Sequence, residues 1–202
     1  MKVIEQLLVN AGISPIAGVD EAGRGACAGP LVIASVVLND PFAAELAVVR
    51  DSKEISESKR DAVFDLIHSV AASVSVVIVP AAEVDSRGVH AANLDGMRRA
   101  VQGLSIEPAY VLTDGYAIEG LGVPNLAVWK GDQVVVSISA ASVIAKVTRD
   151  RIMRELDEEF PQYGFAGHKG YITAAHTKAL NEHGPCAEHR TSFANVAALI
   201  HK

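Results

Sequence analysis

Three short apolar runs in this chain each lead into carboxylates close to a glycine, and that pattern limits the folds open to it. Ile16 to Val19 runs into Asp20-Glu21, Tyr110 to Thr113 into Asp114-Gly115, and Leu126 to Trp129 into Lys130-Gly131-Asp132. Apolar, partly β-branched runs closed by turn residues read as buried strands. Acids at their C-terminal ends point to an open α/β sheet, in which sites assemble where the strands stop.

The rest of the chain fits that frame. A glycine-rich turn, Gly23-Arg24-Gly25 through Gly29-Pro30, separates the first run from Leu31 to Leu38, so the two form a hairpin-like start to a sheet. Val74 to Val79 is a further buried strand closed by Pro80. Helical spacing places Val3, Ile4, Leu7 and Leu8 on the apolar face of a short first helix that Gly12 stops. Ser56 caps a helix reaching about Ser69, and residues 89–103 read as another. From about Ser139, the apolar series Ala140, Val143, Ile144, Val147, Met153, Leu156 describes a long helix ending near Phe160-Pro161. Helices over Thr173–Glu182 and about Phe193–Ile200 complete the chain. Strands come early and helices late. The expectation is a single α/β domain over 1–202, a mixed sheet flanked by helices, with about 161–202 forming a small C-terminal helical cap.

Composition narrows the function. Of 202 residues, 50% are hydrophobic and 21% charged, which excludes a disordered or fibrous chain. Eighteen Lys and Arg against 24 Asp and Glu leave a net charge of −6, so bulk charge does not make this a nucleic-acid binder. Any surface for a polyanion is local and draws on the C-terminal third. Two cysteines, Cys27 and Cys186, are too few for a disulfide framework and read as reduced. No apolar run reaches the 18 or so residues that a membrane span needs, and Lys2, Glu5 and Gln6 interrupt any leader-like stretch. A cytoplasmic protein without a membrane partner is expected.

A lone Asp-Gly is ordinarily a cap or a turn. Asp20, Glu21, Asp114 and Asp132, all at strand ends, imply more. Converging carboxylates repel one another unless cations neutralise them, and oxygen-only ligands suit a hard ion, Mg²⁺ or Mn²⁺. Two such ions clamp a phosphodiester for in-line attack by water.

The segment Asp20-Glu21-Ala22-Gly23-Arg24-Gly25-Ala26-Cys27-Ala28-Gly29-Pro30 closely resembles the signature of ribonuclease HII, the bacterial type 2 ribonuclease H. Asp51-Ser52-Lys53, Thr113-Asp114-Gly115, Lys130-Gly131-Asp132, the stretch from Ser139 to Arg151, His168-Lys169-Gly170-Tyr171 and His189-Arg190-Thr191-Ser192-Phe193 resemble its later motifs, in order. The resemblance implies a ribonuclease H-like fold and hydrolysis of RNA strands in RNA–DNA hybrids. It also implies incision 5′ to ribonucleotides embedded in duplex DNA, leaving 5′-phosphates and removing misincorporated ribonucleotides. Carried over, Asp20, Glu21, Asp114 and Asp132 are the catalytic, metal-binding carboxylates, with two ions when substrate is bound. Gly23, Arg24 and Gly25 match the loop that senses the ribose, and Tyr171 the ring that packs on the deoxyribose just past the junction.

The chemistry of these residue types agrees. The 2′-OH both donates and accepts hydrogen bonds, and a glycine turn can bring backbone groups against a sugar. Arg24 can fork onto a phosphate. Lys53, Lys146, Arg149, Lys169 and Arg190 are further candidates for phosphate contact. Asp150, four residues from both Lys146 and Arg154, reads as a helical ion pair rather than a ligand. His168, His176, His183 and His189 read as loop or substrate-side residues, with His168 able to assist proton transfer. One stretch, Gly88-Val89-His90-Ala91-Ala92-Asn93, departs from the family's usual Asn-Ile and Ala-Thr pairs. The competing readings are another carboxylate nuclease of the same fold, a silent hybrid-binding module, and a metal-dependent phosphatase. The glycine turn with Tyr171 opposes the first, the four retained acids oppose the second, and the lack of a nucleophile motif opposes the third. The protein is expected to act as a monomer.

Overall fold

The computed structural model describes residues 3–51 and 57–200; Lys53 and the Ser56 cap lie outside them. Five strands form one mixed sheet: β1 (Ile16–Ala22), β2 (Leu31–Leu38), β3 (Ala71–Val79), β4 (Tyr110–Asp114) and β5 (Asn125–Val128), in the order β3-β2-β1-β4-β5. β1 and β2 are antiparallel neighbours, as are β2 and β3, while β1–β4 and β4–β5 are parallel. Every residue of β2 is buried, as a nearly continuous apolar run indicates for a strand covered on both faces.

The helices are α1 (Val3–Asn10), α2 (Glu57–Val70), α3 (Ala81–Arg87), α4 (Val89–Gln102), α5 (Gly131–Val134), α6 (Val136–Glu159), α7 (Phe165–His168), α8 (Ala174–His183) and α9 (Ala194–Ile200), with a 3-10 stretch over Ala44–Asp51. Alternation along the strands sorts the core in two. Val32, Ala34 and Val36 pack with Ala140, Val143 and Ile144 of α6 and with Val63 and Ile67 of α2. Leu31, Ile33 and Val37, on the other face, pack with Ala92, Met97 and Ala100 of α4.

The long helix α6 sits directly on the central strand. Gly18 permits this: a Cβ there would fall 2.1 Å from the Ser137 carbonyl carbon. The first amides of α6, which have no partner within the helix, find one far away in sequence. Glu5 of α1, 1% exposed, accepts hydrogen bonds from Val136 N at 2.8 Å and Ser137 N at 3.0 Å. A carboxylate there satisfies orphan N–H groups and complements the helix dipole.

Four details differ from the sequence reading. The strand expected to be buried over Val74–Val79 is β3, at the edge of the sheet, where Val76 and Ile78 are exposed. In α1, Ile4 and Leu8 pack inward, but Val3 and Leu7 are exposed, because the helix is oriented by the Glu5 cap rather than by its apolar stripe. The helix expected over 89–103 is preceded by a separate one, α3, broken from it at Gly88, whose φ of 79° interrupts the helical path. α6 begins at Val136, three residues before the expected start.

Residues 163–200 pack against α6 and the turn between β1 and β2. Tyr163, Phe165 and Ala179 form an apolar cluster with Ala28 and Met153. His189 pairs with Ala28 as an isolated β-bridge. Asp85 of α3 accepts bonds from the backbone and hydroxyl groups of both Thr191 and Ser192, ahead of α9. Among the described residues, no helix is long and apolar enough to cross a membrane.

Candidate active site

Parallel pairing of β1 and β4 places Val19 opposite Thr113, so Asp20 and Asp114 follow side by side one step further on. Both carry the alternation that faces α6: Ala22 of β1 and Leu112 of β4 pack there. Asp20 is 4% exposed and accepts a hydrogen bond from its neighbour's amide, Glu21 N, at 2.7 Å, and a further one from the Ser142 hydroxyl of α6. Burial, then the adjacent Glu21 carboxylate, with Asp114 adding, hold the Asp20 carboxyl well above its ordinary range; the Ser142 and Glu21 amide bonds oppose the shift. Asp114 Oδ1 accepts from Gly131 N at 2.7 Å, which ties the end of β4 to the loop carrying Asp132. A Cβ on Gly131 would lie 2.6 Å from the tip of the Ile138 side chain, which would have to move aside.

These acids open onto a cavity of about 410 Å³ lined by Asp20, Glu21, Arg24, Asp114, Lys146 and Tyr171, with Gly23, Gly25, Arg60 and Ser142 completing its wall. Asp132 is not among the lining residues; it lies 6% exposed in α5, one residue beyond the amide that holds Asp114. Among the described residues, no three Asp, Glu, His or Cys side chains form a ready-made cage for an ion.

The turn after β1 is held from below by Arg149, a buried guanidinium on α6. Its Nε donates to Pro30 O at 2.9 Å and its Nη2 to Ala28 O at 3.0 Å. A Cβ on Gly23, whose φ is 86°, would fall 1.9 Å from Arg149 Nε, so this glycine is required from inside the protein. Gly25 is the opposite case: nothing stands within 4 Å of where its Cβ would be, and that face is open to a substrate. Arg149 also lies 5.5 Å from the ring centroid of Tyr171, backing the aromatic side chain from behind. Arg24 places its guanidinium 4.7 Å over the Tyr116 ring.

The basic residues divide sharply. Lys146 and Arg60 reach the cavity, and both also engage Asp150: Lys146 by a direct ion pair, Arg60 at 3.9 Å. Asp150 thus serves as an ion-pair partner, as its spacing indicated. Arg149 and Arg190 are corrections to the sequence reading. They are 1% and 0% exposed, too deep to meet a phosphate in this arrangement, because backbone carbonyls absorb their donors. Arg190 donates from Nε and Nη2 to Gly29 O and from Nη1 to Arg24 O, so it shapes the turn. Lys169 lies outside the cavity and bonds to Ala166 O. The histidines are also corrected. His176 and His189 are 0% and 2% exposed, and both ring nitrogens of His168 face backbone groups, Tyr163 O and Gly170 N. His168 is therefore occupied in holding a loop.

Sequence reasoning missed Arg60, Ser142 and Tyr116. Ser142 carried a usable signal, since it stands one helical turn before Lys146 on the face that α6 turns to the acids. Arg60 and Tyr116 carried none; only the tertiary packing brings them in.

Comparison with known proteins bears on this arrangement. The family Ribonuclease HII matches residues 17–196. The Ribonuclease HII of Acidothermus cellulolyticus is 58% identical over 192 residues, 95% of this chain and 62% of that protein. That of Parafrankia sp. is 57% identical over 195 residues, 96% of this chain and 81% of that one. The chain therefore spans less than two thirds of the first relative and most of the second. Among solved structures, the ribonuclease H2 from Pyrococcus horikoshii superposes with a TM-score of 0.79 at 26% identity, covering 91% of this chain and 96% of that one.

Proposed function

The chain belongs to the ribonuclease HII family; on that premise we propose that it is a metal-dependent ribonuclease H endonuclease that cuts RNA–DNA hybrids and incises duplex DNA 5′ to embedded ribonucleotides, using Asp20, Glu21, Asp114 and Asp132. The observation that carries the reading is the juxtaposition of Asp20 and Asp114, which sets a buried carboxylate beside a half-buried one in a cavity walled by the Gly23-Arg24-Gly25 turn and Tyr171.

The acids fit a hard cation. Burial and facing carboxylates hold Asp20 towards its protonated form, a strain that a divalent ion relieves. The donors are oxygen only, and Mg²⁺ or Mn²⁺ is the corresponding choice. An ion of this kind takes one or two carboxylates and fills its remaining positions with water and substrate phosphate, so a full protein cage is not needed. When bound, a pair of such ions supplies an activated water and stabilises the charge that develops on the phosphate.

The chain's own residues do the rest. Asp20 and Asp114 are pre-set by the Glu21 and Gly131 amides, so little reorganisation is left for the moment of binding. Lys146 and Arg60 give the cavity wall positive charge to meet a phosphate backbone, in a chain whose net charge is negative. The open face of Gly25 lets backbone groups approach a 2′-OH, and the Tyr171 ring, backed by Arg149, packs on the next sugar. The acting form in this reading is a monomer. The role this reading assigns to the activity is removal of misincorporated ribonucleotides, in the cytoplasm.

The test is Asp20→Asn. Turnover is expected to fall by at least about a thousandfold, roughly 4 kcal/mol of transition-state stabilisation, while the metal-free variant melts above metal-free wild type at pH 7. A folded variant that keeps near-wild-type cleavage overturns the assignment.

A further inference from the structure

Behind Tyr171, two buried histidines touch each other. His176, in the first turn of α8, receives its place from Thr173, whose hydroxyl accepts from His176 N at 3.1 Å. Its Nδ1 lies 3.0 Å from Tyr171 O, and its Nε2 lies 3.0 Å from His189 Nε2. His189 Nδ1 lies 3.0 Å from Cys186 N.

Elementary bonding rules fix every proton in this row. A carbonyl oxygen only accepts, so His176 Nδ1 carries the hydrogen. A neutral ring then leaves His176 Nε2 bare, and it accepts from His189 Nε2–H. His189 Nδ1 is left bare in turn, and it accepts from the Cys186 amide, which only donates. The relay therefore runs one way, from Cys186 N–H through His189 and His176 to Tyr171 O. A second proton on either ring sets donor against donor, at the Nε2 contact or at the Cys186 amide. The row closes only with both rings neutral.

The surroundings favour that state. Phe165 packs edge-on against His176, and Tyr163 stands 4.8 Å from the His189 ring. The titratable groups facing the pair are His168, stacked on His176 at 4.2 Å, Tyr163, Cys27 at 3.7 Å from His176 Nδ1, and Cys186 at 3.2 Å from His189 Nδ1. None is a carboxylate that would favour a cation. Burial, with His176 adding, lowers His189 to about 4, and burial lowers His176 as well.

The relay joins both elements assigned to sugar recognition. It ends on the Tyr171 main chain, and its other member, His189, bridges to Ala28 just after the Gly23-Arg24-Gly25 turn. The two elements are also tied directly, since Cys27 N donates to Gly170 O at 3.0 Å. We infer that His176 and His189 are positioning residues for ribonucleotide recognition: their neutral, one-directional hydrogen-bond relay fixes the Tyr171 backbone relative to the Gly23–Gly25 turn. This inference rests on the reading of Tyr171 given above, as the ring that packs on the sugar past the junction.

Two experiments test it. The first needs no activity: long-range ¹⁵N–¹H NMR of the histidine rings in the metal-free wild type at pH 7. The relay requires a proton on Nδ1 of His176 and on Nε2 of His189, with the other nitrogen of each ring bare. Any other tautomer, or a cationic ring, overturns it. The second compares His176→Phe, which fills the space without a donor, with His176→Asn, whose amide keeps a donor near the Nδ1 position. The quantity read is kcat/KM on a single-ribonucleotide duplex divided by that on a long hybrid. Loss of one hydrogen bond to the Tyr171 carbonyl is expected to lower this ratio about five- to tenfold in His176→Phe, with the Asn variant staying within about twofold of wild type. An unchanged ratio in the Phe variant, or an equal fall in both, contradicts a positioning role. If His176→Phe does not fold, the tautomers of the wild type decide the matter. Absence of cleavage on both substrates by wild type defeats the functional reading instead, and leaves the NMR result standing.

Discussion

Arg190→Lys separates a residue that grips substrate from one that builds the site. Arg190 directs three N–H groups at two carbonyls: Gly29 O at 3.1 and 2.9 Å and Arg24 O at 3.2 Å. A lysine keeps the charge but carries a single nitrogen, which can serve one of these carbonyls. Two bonds are lost, at about 1–1.5 kcal/mol each, so roughly 2–3 kcal/mol of stability goes with them. In a chain of this size each kcal/mol moves Tm by about 2–4 °C, which places the fall at roughly 4–12 °C. Because the lost bonds support the turn at Arg24, kcat/KM on a single-ribonucleotide duplex falls as well. The salt dependence of binding separates the two roles. A residue contacting a phosphate contributes about one unit to the slope of log affinity against log salt, and Arg190, fully buried, contributes none. Thermal unfolding and binding titrations from low to moderate salt are the assays. An unchanged Tm in Arg190→Lys, together with a slope shallower by about one unit when the charge is removed in Arg190→Met, refutes the reasoning.

Two further outcomes follow from buried groups. Glu5→Ala strands the Val136 and Ser137 amides at the start of α6 and should cost about 2–4 kcal/mol, read as a Tm loss of roughly 5–15 °C, whereas an unchanged Tm removes Glu5 from its capping role. Acid should destabilise the protein through His189, whose folded value of about 4 lies below the unfolded value of about 6.5. The unfolded state then binds the extra proton, so this contribution is complete above pH 6.5 and is lost as pH falls towards 4, up to about 3 kcal/mol. The Asp20 carboxyl, held high, acts in the opposite sense, so the pH series is best measured on Asp20→Asn; a flat stability between pH 6.5 and 4.5 contradicts a neutral His189.

Legibility in the sequence followed the range of the interactions involved. The strands and the long helix were readable because their periodicity is local: Leu31–Leu38 emerges with the bounds expected of it, and α8 within a residue. Asp20 and Asp114 were readable as partners because both end apolar runs, and parallel pairing sets them level. What stayed hidden depends on contacts across the chain. Glu5 caps a helix 131 residues away, and in the sequence it is an unremarkable polar residue on a short helix. Arg149 and Arg190 look like surface cations because nothing local announces the carbonyls of Ala28, Gly29 and Pro30 that receive them. Burial of His176 and His189 likewise comes from folding residues 163–200 back onto α6 and the turn between β1 and β2, which no local pattern encodes.

The most direct test is cleavage of end-labelled duplexes carrying zero, one or four ribonucleotides, with Mg²⁺, with Mn²⁺ and with EDTA. The account predicts a cut on the 5′ side of the lone ribonucleotide, cleavage within the four-ribonucleotide tract, no cut in all-DNA duplex, and no product at all with EDTA. Cleavage of the all-DNA duplex, or cleavage that persists in EDTA, contradicts it.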